Sequence, residues 1–157
     1  MTTEKESLPY AEWHMDEALW QAKAAADEGE IPVGCVIVWK GNVLSVGKNE
    51  VEKTGDPTAH AEMIAIKKAS EVLGKNLSEC DLFVTVEPCP MCTGAIVNAR
   101  VGRLFIGTDE PKTGCCGSLY DLVEDARFNH NPVVIRGIRA QECKKRMADF
   151  FADRRKK

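Results

Sequence analysis

Apolar residues recur at three- and four-residue intervals between Leu8 and Glu28, where Met15, Ala18, Leu19, Ala22, Ala25 and Ala26 form one stripe. That period predicts an amphipathic helix, closed by Gly29. The pattern then changes. Val33 to Trp39 and Val43 to Gly47 are rich in β-branched residues and predict two strands, with Lys40-Gly41-Asn42 as a hairpin between them. Asp56-Pro57 predicts the start of a second helix, Asp56 as N-cap and Pro57 in the first position, running to about Leu73 before Gly74. Leu82 to Val86 is continuously apolar and predicts a buried strand. Cys89-Pro90 opens a third helix that ends near Arg100, and Leu104 to Gly107 predicts another strand. Ser118 to Asp125 predicts a short helix, Val133 to Ile138 a fifth strand, and Gln141 to Arg155 a last helix with a basic end. A hairpin followed by strand-helix-strand units predicts an α/β fold with a five-stranded mixed sheet and helices on its faces.

Composition narrows the picture. The 157 residues suit one domain spanning 1–157, and 44% hydrophobic with 29% charged residues is ordinary for a soluble globular chain. No apolar run approaches the roughly 20 residues needed to cross a membrane. Met1 to Glu6 lacks the basic and apolar regions of a secretory signal, so the expected compartment is the cytoplasm. A net charge of −3 does not mark a nucleic-acid binder, so any RNA-binding surface must be local. Seven cysteines cannot all pair with one another, and in a reducing compartment they read as metal ligands or buried thiols.

The chemistry gathers at two helix starts, His60-Ala61-Glu62 and Pro88-Cys89-Pro90-Met91-Cys92. Cysteines at i and i+3 of a first helical turn share a face, so both sulfurs can reach one ion. The helix N-terminus favours the thiolate that binds metal. One imidazole and two thiolates, His60, Cys89 and Cys92, give one Zn2+ three protein ligands and leave a fourth position for water, the pattern of a catalytic site. Glu62 is the adjacent proton carrier. In a regular helix, residues i and i+2 diverge by roughly 200°, so His60 and Glu62 converge only if the cleft sits over the helix start.

These residues match the H-x-E…P-C-x-x-C signature of the cytidine-deaminase-like zinc enzymes. Over nearly its whole length the chain resembles the bacterial tRNA-specific adenosine deaminases. The resemblance is carried by Ile31-Pro32-Val33-Gly34, Asp56-Pro57-Thr58-Ala59-His60-Ala61-Glu62, Val86-Glu87-Pro88-Cys89, Lys112-Thr113-Gly114, Gly117-Ser118-Leu119, Phe128-Asn129-His130 and Asp149-Phe150-Phe151. It implies a three-layer cytidine-deaminase-like fold, with helices on both faces of the sheet. It also implies a reaction: zinc-bound hydroxide attacks C6 of the wobble adenosine in a tRNA anticodon loop, chiefly of an arginine tRNA, and Glu62 shuttles the protons. Asn49 matches a position that contacts the target nucleoside. The partner is a tRNA anticodon stem-loop, and the working form is a homodimer whose surface includes Met91 to Val97. Glu110, Lys112, His130, Arg154 and Arg155 are the candidate RNA contacts. The chain departs from the family pattern at Thr108 and Glu110, where alanine and aspartate are common.

Plainer readings stand beside these. Cys89 and Cys92 could belong to a structural zinc site completed by His60 and by Cys115 or Cys116. Cys35, Cys80 and Cys143 read as buried thiols, and His14 as a helix-surface residue without a role. His130 is as readily a local hydrogen-bonding residue. Arg154-Arg155-Lys156-Lys157 could simply complement a helix dipole. Trp13, Trp20 and Trp39 read as core or dimer packing. Two other functions use the same signature: a free-base or nucleoside deaminase of guanine or cytosine type, and a non-catalytic zinc-stabilised RNA-binding module.

Overall fold

A computed structural model of the protein describes residues 4–155. Met1 to Thr3, part of the segment read for a leader, and Lys156 and Lys157 of the basic cluster lie outside the described residues.

Five strands form one sheet in the order β2-β1-β3-β4-β5. β1 (Gly34–Trp39) and β2 (Asn42–Lys48) form the expected hairpin, and Trp39 pairs with Asn42 across the two-residue loop Lys40-Gly41. β1 also runs antiparallel to β3 (Cys80–Val86). β3, β4 (Arg103–Thr108) and β5 (Val133–Arg136) are parallel. The sheet is therefore mixed, as the element order implied.

Strand alternation sends successive side chains to opposite faces, and each face has its own helices. Val36, Val38, Phe83 and Phe105 meet Ala11, Met15 and Ala18 of α1 (Glu4–Asp27) and Cys143 of α5 (Ala140–Arg155). Cys35, Ile37, Leu82, Val84, Leu104 and Ile106 meet Ala61, Ala65 and Ala69 of the helix Ala61–Leu73 and Ile96 of the helix Pro90–Asn98. Helices on both faces make three layers. The small side chains of Ala61, Ala65 and Ala69 allow their helix to lie close on the sheet. Gly47 completes the fit, since a Cβ there would stand 2.2 Å from the Ala61 carbonyl oxygen.

Five local expectations need correcting. Asp56 does not cap a helix. Its Oδ1 accepts the Thr58 N–H at 2.8 Å in a tight turn, and a four-residue helix the sequence hid, α2 (Val51–Thr54), precedes it. α3 (Ala61–Leu73) starts later than Asp56-Pro57 suggested. Ser118 to Asp125 forms turns with a single bridge between Cys116 and Asp121, because that segment is folded by long-range hydrogen bonds described below. His14 is buried, not on the surface: its ring packs on Tyr10 and Phe83, and Nδ1 pairs with Glu17. Trp13 and Trp20 lie on the outward face of α1 and are exposed, so neither is core, whereas Trp39 packs against the core edge. Cys35, Cys80 and Cys143 are buried free thiols, as expected.

Among the described residues no helix is long and apolar enough to cross a membrane.

Candidate active site and metal centre

His60 and Cys89 occupy equivalent places, the N-caps of α3 and of α4 (Pro90–Asn98). Their backbones are extended, with φ/ψ of −76/154° and −73/176°. Such positions usually hold Ser, Thr, Asp or Asn whose side chain turns back on the helix. Neither His60 nor Cys89 makes a side-chain cap bond, so both are free to face one point. This resolves the angular problem in His60-Ala61-Glu62: His60 is not yet helical, and Glu62 sits in the first turn.

His60 Nδ1 lies 3.6 Å from Cys89 Sγ and 3.5 Å from Cys92 Sγ. A tetrahedral ion about 2.1 Å from nitrogen and about 2.3 Å from sulfur separates such donors by about 3.6 Å. The donor set and its spacing therefore fit zinc, with Nδ1 as the imidazole ligand atom. Among the described residues no further His, Cys, Asp or Glu donor joins the group. Cys115 Sγ is directed to the Thr113 carbonyl and Cys116 Sγ to Thr93 Oγ1, each at 3.5 Å. A structural zinc site, which requires four protein ligands, is not built here.

The electrostatics favour a cation. The Cys89 thiol is pulled down to about 4, chiefly by a hydrogen bond from Cys92 and then by His60 and the Cys92 N–H, against the upward effect of burial. Cys92 is pushed up because it donates to Cys89 and is buried beside Glu62. A thiolate at Cys89 suits a +2 ion, and metal binding would release the remaining thiol proton. Hydrogen bonding to Cys89 raises His60. Burial pushes the Glu62 carboxyl up to about 7; its own N–H and His60 oppose the shift, and Cys89 adds to it. A carboxyl poised near neutrality can both take and return a proton, although a nearby +2 ion would lower it.

Above these residues opens a cavity of about 810 Å3. His60, Glu62 and Cys89 line its inner part, and Asn49 lines its side. Asn49 is buried, and its Oδ1 accepts the Val51 N–H at 3.2 Å. Glu110 and Lys112 come from the loop after β4. The opposite wall is one face of α5, with Lys144, Met147, Phe151 and Arg155. Sequence reasoning missed the first three. They stand at i, i+3 and i+7, with Arg155 at i+11, a helical repeat concealed by its mixed polarity.

Not all the candidate contacts come together. Arg154 points away from the cavity lining: its guanidinium donates to the Gly29 carbonyl at 3.0 Å and lies over the Phe150 ring. His130 lies at the other end of the sheet, before β5, with Nε2 2.6 Å from the Val101 carbonyl oxygen. A second depression, about 590 Å3, also lies at that end. Its Tyr10 hydroxyl and Arg103 guanidinium both pair with Asp81, which accounts for them structurally.

Residues 9–108 match the cytidine and deoxycytidylate deaminase zinc-binding region, which includes all three ligands and Glu62. The chain belongs to that family. It is a zinc-dependent hydrolytic deaminase, and His60, Cys89 and Cys92 fit its metal. A tRNA-specific adenosine deaminase of Bacillus subtilis is 42% identical over 147 residues, covering 93% of this chain and 91% of the relative. A solved structure from studies of A-to-I editing by tRNA:A34 deaminases at the wobble position of transfer RNA superposes with a TM-score of 0.81 at 38% identity, covering 85% of this chain and 98% of that one. A guanine deaminase structure from Bacillus subtilis is 43% identical but covers 60% of this chain and 62% of its own, with a TM-score of 0.58.

Proposed function

We propose that the enzyme hydrolyses the wobble adenosine of a tRNA anticodon loop, that of an arginine tRNA, to inosine and ammonia in the cytoplasm. The observation that carries this reading is the cavity itself. It extends from Glu62 to Lys144 and Arg155 on α5 and to Asp109, Glu110 and Lys112 on the loop after β4. A neutral base has no use for cations at the rim, whereas a base within a strand brings flanking phosphates. An anticodon-loop base is already unpaired, so turning it into the cavity costs little. The tRNA deaminase relative also matches nearly the whole chain, including the α5 region that lies beyond the shared zinc-binding stretch.

When bound, zinc acts as a Lewis acid that makes water nucleophilic at neutral pH. Glu62 takes a proton from the attacking water and passes it to the adenine N1. It then takes the hydroxyl proton of the tetrahedral C6 adduct and delivers it to the departing amine, leaving the inosine carbonyl and ammonia. Burial of Glu62 keeps its proton from being levelled by solvent. Asn49, whose amide both donates and accepts, orients the base or ribose edge. Glu110, Lys112 and Arg155 hold neighbouring nucleotides, and Arg154 stands next to that rim. His130, bonded to the Val101 carbonyl at the other end of the sheet, takes no part in this cavity.

The working form is a homodimer. Met91, Ala95 and Val97 are half-buried on α4, while Cys92, Thr93 and Ile96 face inward. A second copy is the simplest cover for that outer face near the metal.

Deamination of free guanine is the second reading, favoured by the 43% identity to a guanine deaminase over 60% of the chain. Assaying inosine and ammonia from a defined anticodon stem-loop, and ammonia from free guanine, cytosine and adenosine, separates the two. Turnover of the stem-loop with poor activity on free adenosine is expected. Efficient, salt-independent turnover of guanine defeats the tRNA reading.

A further inference from the structure

Glu87 precedes the Pro88-Cys89 ligand segment and borders the same cavity, but it is not one of the clustered donors His60, Cys89 and Cys92. It is 4% exposed, and its carboxylate is surrounded by one loop. Oε1 accepts the Glu110 N–H at 3.1 Å and the Ser118 hydroxyl. Oε2 accepts the Cys116 N–H at 2.9 Å and the Ser118 N–H at 3.0 Å. The loop closes tightly on it: a Cβ at Gly114 would stand 2.5 Å from Oε2, so only glycine allows this approach. The backbone on both sides is tied as well, with the Glu87 N–H donating to Thr108 O and the Cys115 N–H to Pro88 O, both at 2.9 Å.

The same loop carries Glu110 and Lys112 to the wall of the cavity. It has no helix or strand of its own, and its exposed residues 111–113 gain nothing from burial. Burial anchors the loop at Cys115 and Cys116, and charge-assisted bonds to the Glu87 carboxylate tie Glu110 and Ser118 on either side of its exposed part. We infer that Glu87 is a positioning residue for substrate: it clamps the loop of residues 109–118 so that Glu110 and Lys112 meet the RNA at a fixed distance from the metal centre. The inference rests on the tRNA reading above. Glu87 touches neither the reacting carbon nor the metal, and its effect passes through the loop.

Glu87→Gln tests it. A carboxamide keeps one oxygen but sets an N–H2 group against the Glu110 N–H, so the clamp loses an acceptor without a change of shape. The variant should keep one zinc per chain. Its kcat/KM on the anticodon stem-loop should fall about tenfold, mainly through KM. Amide exchange at Glu110, Cys116 and Ser118 should quicken. The decisive measurement is coupling. Lys112→Ala should cost about tenfold in the parent but less than about threefold in Glu87→Gln, because Lys112 is already misplaced there. Equal costs in both backgrounds, an unchanged KM, or loss of zinc in Glu87→Gln overturns the inference. If Glu87→Gln does not fold, Ser118→Ala, which removes one bond and leaves the carboxylate, must show the same coupling. A parent enzyme inactive on the stem-loop defeats the tRNA reading instead, and the amide exchange still decides whether the clamp exists.

Discussion

Glu30 Oε2 accepts the backbone N–H of Lys53 at 2.7 Å, across 23 residues of chain. Its other oxygen accepts the Glu52 N–H at 2.9 Å, so one carboxylate caps α2 from outside. Glu30 is 1% exposed. Removing it leaves two amides without partners, a cost of about 1–3 kcal/mol. Glu30→Ala should lower stability by that amount in urea unfolding. It should also loosen Asn49, which bonds to the N–H of Val51 at the start of α2, and so raise KM. An unchanged midpoint would mean that α2 is held by something else.

Glu62→Ala should separate chemistry from metal binding. Glu62 is not among the clustered donors His60, Cys89 and Cys92, so zinc content should stay near one per chain while kcat falls about 10²–10⁴-fold. Cys89→Ala should lose both metal and activity. Stripping the parent with a chelator should abolish activity and readdition of zinc should restore it. A metal-free Glu62→Ala protein would make Glu62 structural.

The two adjacent arginines should not be equivalent. Arg155 lines the cavity, whereas Arg154 is engaged with Gly29 and Phe150. Arg155→Ala should weaken stem-loop binding and reduce the slope of log K against log salt by about 0.7–0.9, the share of one phosphate. Arg154→Ala should change the slope less. Equal slopes for both variants and the parent would remove α5 from the RNA interface.

Stability should fall on the alkaline side. Burial first, and then Glu142 and Asp16, push the Cys143 thiol up to about 12. An unfolded thiol ionises at about 8.5. The folded state therefore keeps a proton that the unfolded state has released. The contribution of Cys143 is complete below about pH 8.5 and is lost as pH rises toward 12. The limiting slope is about 1.4 kcal/mol per pH unit for one proton. Cys143→Ala should be less stable overall but should show a shallower decline between pH 9 and 11 in denaturant titrations. A parallel decline would assign the alkaline limb to other groups, among which Cys116 is also pushed up to about 12.

Light scattering at micromolar concentration should give the mass of a dimer. Replacing Val97 by Glu on the outer face of α4 should give a monomer. A monomeric parent would leave that face without its proposed cover.

Parts of the protein whose information is local were legible along the chain. The apolar period of α1, the β-branched runs of β1 and β2 with turn residues between them, and the continuous run of β3 each follow from side chains adjacent in the chain. The H-x-E and P-C-x-x-C segments identified the donor set, because zinc chemistry restricts residue type and the two cysteines share one helical turn. Which groups meet depends on packing between segments far apart in the chain. α2 exists because Glu30, some twenty residues earlier in the chain, supplies its missing cap. Ser118 to Asp125 has helix-like composition but forms turns, because its approach is tied to the Glu87 carboxylate. His14 is drawn into the aromatic cluster of Tyr10 and Phe83, while Trp13 on the same helix faces out. Arg154 and Arg155 are neighbours of the same charge, and a rotation of about 100° between successive helical positions directs one toward Gly29 and the other to the cavity. Long-range hydrogen bonds and helix phase relative to the sheet are properties of the packed chain, and no local pattern encodes them.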